Sequence, residues 1–211
     1  ADATPVVFAD SGDSIGSGST GDATGILRAL LAVAGRLPGD ALTTLVDPLA
    51  VRQLAGKTPG DRVSLWVGGK IDHVFNWPVW LDGELRALFR GDFTLSGPSY
   101  ADLVMHMGLT AVVERGRLKV VITSNPTWTH SPDFYRAVGL EPAAAKIVAV
   151  KSNNQFKASY ETIAGAMLWV DAPGVSRPRL TQLPFRRISR PLYPFDDFDW
   201  QPRPMARSCE K

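Results

Sequence analysis

Hydrophobic and polar positions divide the first seventy residues into alternating strand and helix patterns. Short apolar runs rich in β-branched residues predict buried strands, and apolar positions that recur every three to four residues predict amphipathic helices. Strands are predicted at 5–10, 41–47 and 62–70, and helices at 22–37 and 47–55. Strands and helices that alternate with short links are typical of a sheet with parallel strands and helices on its faces.

Both predicted helices begin beside an aspartate, a residue that favours the start of a helix. Asp22 opens the first helical pattern, and Asp47 precedes the second, in which Pro48 fits the first helical position. A carboxylate at such a place accepts hydrogen bonds from the free N–H groups of the first turn. We therefore expect Asp22 and Asp47 to act as N-caps.

The middle of the chain has a different pattern, in which tight glycine links separate strand-like runs at 84–97 and 110–124. Arg115 and Gly116 lie between two β-branched runs and predict a hairpin, which implies an antiparallel section. Further elements are predicted as helices at 131–140 and 154–165 and as strands at 145–152 and 166–171. The sequence thus predicts an α/β fold with a mixed, largely parallel sheet flanked by helices.

Prolines and arginines become frequent from Pro173 onward. Because proline favours extended backbone, we predict an α/β domain over 1–172 and an extended Pro-rich and Arg-rich tail over 173–211. The tail either packs on the domain or leaves it. The formal net charge of the chain is only +2, so a solvated tail explains these arginines better than a phosphate-binding patch, and no nucleic-acid partner is expected.

Composition is that of an ordinary globular protein, with 45% hydrophobic and 21% charged residues. The single cysteine, Cys209, has no partner for an intrachain disulfide, which favours a reducing compartment, and we expect a cytoplasmic location. No apolar run approaches the roughly 20 residues that cross a bilayer, so no membrane association is expected. Homo-oligomerisation is left open.

A glycine-rich segment, SIGSGSTG, follows the first predicted strand and places Gly16, Gly18 and Gly21 at the G-x-G-x-x-G spacing of dinucleotide-binding loops. In such loops the strand leads almost directly into the first glycine, and the helix N-terminus faces the pyrophosphate. Here DSGDSI intervenes and puts Asp10 and Asp13 where a diphosphate would lie. The carboxylates disfavour a dinucleotide, which leaves a structural turn or a different site at a strand end.

Segments spread over most of the chain match one family in their order and spacing. They are ADSGDSIGSGSTGDAT followed by GILRALL, then DPLAV, VGGKIDHVFNWPV, MGLTAVV, VVITSN, VAVKSNNQFKASYETIA and LPFRRISRPLYPFD. Together these segments, from about residue 5 to 196, resemble the C-terminal domain of MlrC-like (microcystinase C-type) metallopeptidases. The resemblance implies a zinc-dependent hydrolase of peptide or amide bonds that is built from two domains.

The same resemblance implies that the zinc ligands belong to an N-terminal metal-binding domain outside this chain. The three histidines, His73, His106 and His130, have no metal-ligand spacing, so we expect no metal bound by this chain alone and assign them as surface or satisfied polar residues. The chain would form one wall of the active-site cleft, opposite the metal-bearing domain and against a peptide-like substrate. We expect the isolated chain to be inactive.

Candidate catalytic residues follow from matches to the loop carboxylates and the K-S segment of the family, and they are Asp10, Asp13, Lys151 and Ser152. Both segments end predicted strands and can converge at one rim of a parallel sheet. A carboxylate there can bind a substrate ammonium or transfer a proton, and a lysine with a hydroxyl can hold a carbonyl or carboxylate. Candidate substrate-binding residues are Lys70, Ser124, Gln155 and Gly18.

Two departures from the family pattern bear on activity. The Asn-Pro that follows the second aspartate in the family is Ser14-Ile15 here, and the histidine of its K-S-x-x-H segment is Gln155. An amide cannot act as an acid or base near neutral pH. If the family histidine positions the substrate, the exchange to Gln155 implies that this protein has an altered specificity or has lost that function of the histidine. The alternative functions are a stand-alone α/β module that binds a small ligand without catalysis, and an interaction domain without chemistry.

Overall fold

Eight strands and short helices make up residues 5–199, the part of the chain that the computed structural model describes. The strands are β1 (Val6–Asp10), β2 (Ala41–Val46), β3 (Arg62–Val67), β4 (Val79–Thr94), β5 (Val104–Arg115), β6 (Leu118–Thr123), β7 (Ile147–Val150) and β8 (Ala166–Val170). The α-helices are α1 (Gly25–Ala32), α2 (Pro48–Gln53), α3 (Asp133–Arg136) and α4 (Phe156–Tyr160). The 3-10 turns are Ile15–Ser17, Ala34–Arg36, Pro142–Ala144 and Leu180–Gln182.

The strands form one mixed sheet in the order β3-β4-β5-β6-β2-β7-β1-β8. Four neighbouring pairs, from β6 to β8, are parallel, and the three pairs from β3 to β6 are antiparallel. The predicted α/β class, with a largely parallel mixed sheet and an antiparallel section, is confirmed. The topology also makes β7 and β1 adjacent and parallel, so their carboxyl ends lie at the same edge of the sheet.

Each face of the sheet carries its own hydrophobic core. On one face, Leu27 and Leu30 of α1 and Val51 of α2 pack against strand residues such as Leu45 and Ile122. On the other face, buried aromatic side chains of α3 and α4 pack against strand residues such as Val121 and Val148. These aromatic residues are Phe134, Tyr135, Phe156 and Tyr160. The helices are only four to eight residues long, so packing on the sheet rather than helix propensity stabilises them.

The predicted cap at Asp22 is wrong, whereas the one at Asp47 is confirmed. Asp47 Oδ1 accepts the backbone N–H of Ala50 at 2.8 Å, at the start of α2. Helix α1 instead begins at Gly25 without a side-chain cap. The Asp22 carboxylate accepts the N–H groups of Lys70 and Ile71, 2.9 and 2.6 Å away. Those donors are more than forty residues distant in sequence, so the local pattern gives no sign of them.

The antiparallel section is longer than the patterns predict. The hairpin at Arg115 and Gly116 is confirmed, since β5 pairs with β6 across it and Gly116 has a φ of +60°. Strands β4 and β5, however, begin at Val79 and Val104, several residues before the predicted starts.

The chain divides after Pro178 into two compact units. Within the second unit, Arg190 forms an ion pair with Asp196, and Phe185 packs edge-on against Phe195 with ring centroids 5.5 Å apart. Residues 200–211, which include Cys209, lie outside the described residues. Within 5–199, none of the helices has both the length and the apolar character needed to cross a membrane.

The loop after β3 requires glycine at Gly69 for two reasons. Its φ is +56°, a left-handed conformation that side chains disfavour, and an added Cβ would lie 2.3 Å from the Trp77 carbonyl carbon. Gly56 also has a left-handed φ, +83°, but has open space around it. A substitution at Gly56 therefore measures the cost of the backbone conformation without the cost of a steric clash. We expect Gly56→Ala to lower the free energy of unfolding by about 1–2 kcal/mol.

Gly69→Ala should cost clearly more than Gly56→Ala, about 3 kcal/mol or more, because the backbone at Trp77 must move to admit the methyl group. Urea unfolding of both variants, followed by circular dichroism, measures the difference. Equal losses in the two variants would show that the close approach of the loop contributes nothing to stability.

Candidate functional site

A buried ion cluster lies where β1 and β7 end. Lys151 directly follows β7, Asp10 is the last residue of β1, and Asp13 lies in the loop beyond it. Lys151 Nζ donates to Asp13 Oδ2 at 2.6 Å and to the Ala23 carbonyl at 3.1 Å, and it lies 3.6 Å from Asp10 Oδ2. An ammonium has three N–H donors, and these three oxygens surround it.

Asp13 holds the glycine-rich loop in place. Its Oδ1 accepts the N–H of Gly21 at 2.9 Å, and its Oδ2 accepts the N–H of Ala23 at 2.8 Å. Main-chain donors just before a helix are the groups that would hold a phosphate in a dinucleotide-binding loop. In this protein the Asp13 carboxylate occupies them, which gives the physical reason why the G-x-G-x-x-G spacing does not act as such a loop.

Asp10 differs from Asp13 in that neither of its oxygens has a hydrogen-bond partner among the described residues. Burial raises the pKa of the Asp10 carboxyl above its ordinary value, against the opposing effect of the Lys151 ammonium. For Lys151, burial alone would lower the pKa, but the Asp13 and Asp10 carboxylates outweigh it and raise the pKa. Lys151 therefore stays charged at neutral pH.

A pocket lies beside this cluster. It is lined by Gly16, Tyr100, Trp128, Thr129, His130, Lys151, Ser152 and Gln155. The aromatic rings contact one another, with centroid distances of 4.8 Å from Tyr100 to Trp128 and 5.7 Å from Trp128 to His130. Asp10 and Asp13 are almost completely buried and do not line this pocket.

The segment between β6 and α3 contributes Trp128, Thr129 and His130, three pocket residues that the sequence analysis missed; a fourth, Tyr100, lies between β4 and β5. Thr129 Oγ1 accepts the backbone N–H of Lys151 at 2.7 Å and fixes this segment to the end of β7. His130 is buried, and burial lowers the pKa of its imidazole despite a hydrogen bond to the Ser99 backbone. The imidazole is therefore neutral at pH 7. The one available signal is TWTHS, a polar and aromatic run that begins three residues after the end of a predicted strand at 124.

Some of the predicted site residues lie together at the pocket, and others lie elsewhere. Ser152 and Gln155 line the pocket with Lys151. Lys70 instead donates to Asp47 Oδ2 at 2.6 Å and to the Trp66 carbonyl at 2.8 Å. Ser124 donates its N–H to the Leu109 carbonyl, and Gly18 lies in an exposed turn with a φ of +87°; these three do not line the pocket.

The donor set within residues 5–199 does not form a zinc site by itself. This part of the chain holds no group of three or more histidine, cysteine, aspartate or glutamate side chains placed to bind a metal ion. The carboxylates of Asp10 and Asp13 already face the Lys151 ammonium, and a second cation beside it would be repelled.

The Lys151 cluster leads to a prediction about stability. Lys151→Met leaves the buried Asp10 and Asp13 carboxylates without a counter-charge, so we expect a loss of about 3–5 kcal/mol at pH 7. The loss should shrink as the pH falls, because burial raises the pKa of the Asp10 carboxyl and, without the opposing Lys151 ammonium, the folded variant takes up a proton there. Thermal unfolding from pH 8 to pH 5 measures both effects.

Lys119→Met is the matched control, since Lys119 pairs with the partly exposed Asp40 at 2.5 Å. We expect it to cost about 1 kcal/mol or less. If both lysine variants lose the same stability at every pH, the buried cluster does not organise this edge of the sheet.

Comparisons with known proteins extend over nearly the whole chain. The model of the family described as MlrC C-terminus matches residues 8–187. Microcystinase C from Sphingomonas sp is 29% identical over 196 residues, which are 93% of this chain and 37% of that protein. A crystal structure of a putative metallopeptidase from Mesorhizobium sp. BNC1 is 31% identical, with a TM-score of 0.78, over 94% of this chain and 39% of that one.

The chain thus spans about two fifths of the length of each of these relatives. The matched residues include the glycine-rich loop, the end of β7 and the segment that carries His130. On the strength of the family match over most of its length, this chain belongs to the MlrC C-terminus family.

Proposed function

We propose that this chain is the C-terminal part of a zinc-dependent hydrolase of peptide or amide bonds and forms one wall of its active-site cleft. One observation carries the proposal. More than nine tenths of this chain matches Microcystinase C and the putative metallopeptidase, but the match covers less than two fifths of the length of each of these two proteins. The remaining length in the relatives supports a metal-bearing N-terminal domain that faces this one.

The proposed division of labour assigns zinc to ligands outside this chain. When bound, a catalytic zinc supplies an activated water and polarises the carbonyl that is attacked. The residues of this chain bind and orient the substrate. Ser152 and Gln155, which line the pocket, can each donate and accept hydrogen bonds to a peptide group.

Lys151, Asp10 and Asp13 have a different part in this proposal. The Lys151 ammonium donates two hydrogen bonds within the protein, to Asp13 Oδ2 and to the Ala23 carbonyl. It is also paired with the Asp10 carboxylate at 3.6 Å, and its side chain is 5% exposed, which favours a role inside the protein over a contact with the substrate. The two aspartates lie behind it and hold it. We assign these three as positioning residues that fix the neighbouring Ser152, rather than as groups that touch the substrate.

The second candidate, a small-ligand-binding module without catalysis, would use the same pocket, in which polar side chains such as Ser152 and Gln155 lie beside the Trp128 ring. The two functions differ in what the complete protein does with zinc. A complete protein that binds zinc and hydrolyses peptides supports the hydrolase. A complete protein that binds ligands in the pocket but shows no turnover with added zinc supports the binding module.

Removal of the Ser152 hydroxyl tests whether the pocket is part of the proposed active-site cleft. In the complete zinc-loaded protein, Ser152→Ala should lower kcat/KM for peptide hydrolysis about tenfold, because one hydrogen bond to the substrate is lost. Ser64→Ala is the control, since Ser64 is an exposed residue of β3. Thermal unfolding of both variants checks that the folds are intact. Equal activities of the two variants would place the pocket outside the cleft.

Gln155 offers a test based on pH. The resemblance to the family implies a histidine at this position, and Gln155 is exposed at the start of α4, so the exchange should be tolerated. Gln155→His should add an inflection near pH 6.5 to the pH profile of kcat/KM, because a titrating group then lines the cleft. Gln53→His, on the exposed side of α2, should leave the profile unchanged. Coinciding profiles of the two variants would count against a role for position 155.

A further inference from the structure

We propose that the outer edge of β8 (Ala166–Val170) is a docking surface, on which a strand from the upstream part of the complete protein extends the sheet. The surface consists of β8 and of the apolar groove between β8 and α1. The inference rests on the proposed function only in requiring an upstream domain, and it names the surface on which that domain is seated.

The backbone of β8 is unpaired on its outer side. β8 is the last strand of the sheet, and within residues 5–199 it pairs with β1 and with no other strand. The Val170 carbonyl accepts the Ser11 N–H at 3.1 Å. Because successive residues of a strand direct their N–H and C=O groups to alternate sides, Met167 and Trp169 direct theirs outward. A row of such groups is a template for another strand.

The sequence of β8 has none of the features that usually protect an exposed edge. AMLWV contains neither a charged residue nor a proline, although lysine, proline and inward-pointing charges are the common means by which proteins prevent edge strands from pairing. Leu168 and Trp169 are 50% and 49% exposed. The strand at the other edge, β3, begins with the exposed Arg62 and alternates regularly between exposed and buried residues. We infer from this contrast that β8 is covered in the complete protein.

The groove beside β8 has an apolar lining. It has a volume of about 220 Å³ and is lined by residues that include Phe8 and Val170 of the strands, Gly25 and Ala29 of α1, and Pro173. None of the described residues that line it is charged. A strand added to β8 would direct every second side chain to this face of the sheet. The added strand is therefore expected to carry apolar residues at alternate positions.

The position of β8 favours the upstream part of the chain as its partner. The family is described as the MlrC C-terminus, and more than three fifths of the length of each relative lies outside the match. The Gly165 N–H donates to the Pro5 carbonyl at 2.9 Å, so the chain enters the sheet beside the start of β8. At its other end Val170 is paired with Asp10, at the edge that carries the candidate site. A domain seated along β8 therefore extends from the chain entry to that site.

Hydrogen exchange in the complete protein, measured by mass spectrometry with single-residue fragmentation, tests the strand pairing. We expect the outward N–H groups of Met167 and Trp169 to exchange about 100-fold more slowly than in an unstructured peptide, because hydrogen bonds to the added strand protect them. Exchange of both groups at the rate of an unstructured peptide would overturn the proposal.

Proline at an outward-facing N–H blocks strand addition without removing a hydrogen bond to β1. Met167→Pro should therefore accelerate exchange about tenfold or more at Trp169 and in one segment upstream of this chain. Met167→Ala is the matched control, since it removes the same side chain but keeps the N–H, and it should leave both regions slow. Equal exchange in the two folded variants would contradict the inference.

A second pair of variants covers the case in which Met167→Pro fails to fold. Ala29→Glu places a charge in the groove from an exposed position of α1 and should accelerate exchange in the same upstream segment. Ser64→Glu, on the exposed side of β3, should not. An upstream part that responds to neither Ala29→Glu nor Met167→Pro would overturn the proposal.

The mass of the complete protein in solution tests the choice of partner. A monomer with slow exchange in β8 supports an upstream strand, whereas a dimer that Met167→Pro converts to monomers would show that a second copy covers β8 and would overturn the proposal. None of these measurements needs zinc or turnover. A protein that hydrolyses peptides with zinc while β8 exchanges freely would contradict only this inference, and a protected β8 without turnover would contradict only the hydrolase.

Discussion

The buried ammonium of Lys151 is the interaction on which the candidate site depends. A charge with 5% of its side chain exposed is stable only when its surroundings supply oxygens at the right distances. Asp13, Asp10 and the Ala23 carbonyl meet this need, and they come from the end of β1, the glycine-rich loop and the approach to α1. The Lys151 backbone N–H in turn donates to Thr129 Oγ1. Lys151 therefore joins the end of β7 both to the loop after β1 and to the segment before α3.

Carboxylates organise the backbone elsewhere at this edge of the sheet as well. Asp13 closes the glycine-rich loop, Asp22 holds the loop after β3, and Asp47 joins the start of α2 to Gly68. Each replaces the water that a loop N–H would otherwise bind. The acidic residues around the strand ends therefore fix the loops at this edge of the sheet, and Asp13 among them holds Lys151, which lines the pocket.

The sequence was sufficient wherever the determining contacts are local or follow from topology. Short β-branched apolar runs predict the strands, the Arg115-Gly116 link predicts the hairpin, and the parallel order of β1 and β7 brings Asp10 to Lys151. It was insufficient where contacts span many residues. Asp22 was assigned to the nearest helix because its partners at Lys70 and Ile71 are distant in sequence, and His130 became a pocket residue only when Tyr100 and Trp128 folded around it.

An experimental structure of the complete, zinc-loaded protein with a non-hydrolysable peptide analogue tests the central claim most directly. The proposed cleft wall predicts that an amide of the analogue lies within hydrogen-bonding distance of Ser152, Gln155 or His130. It also predicts that the zinc, held by residues outside this chain, lies on the opposite side of the analogue. An analogue bound at the zinc, with the pocket that contains Ser152 and Gln155 open to bulk solvent and remote from the analogue, would contradict the account.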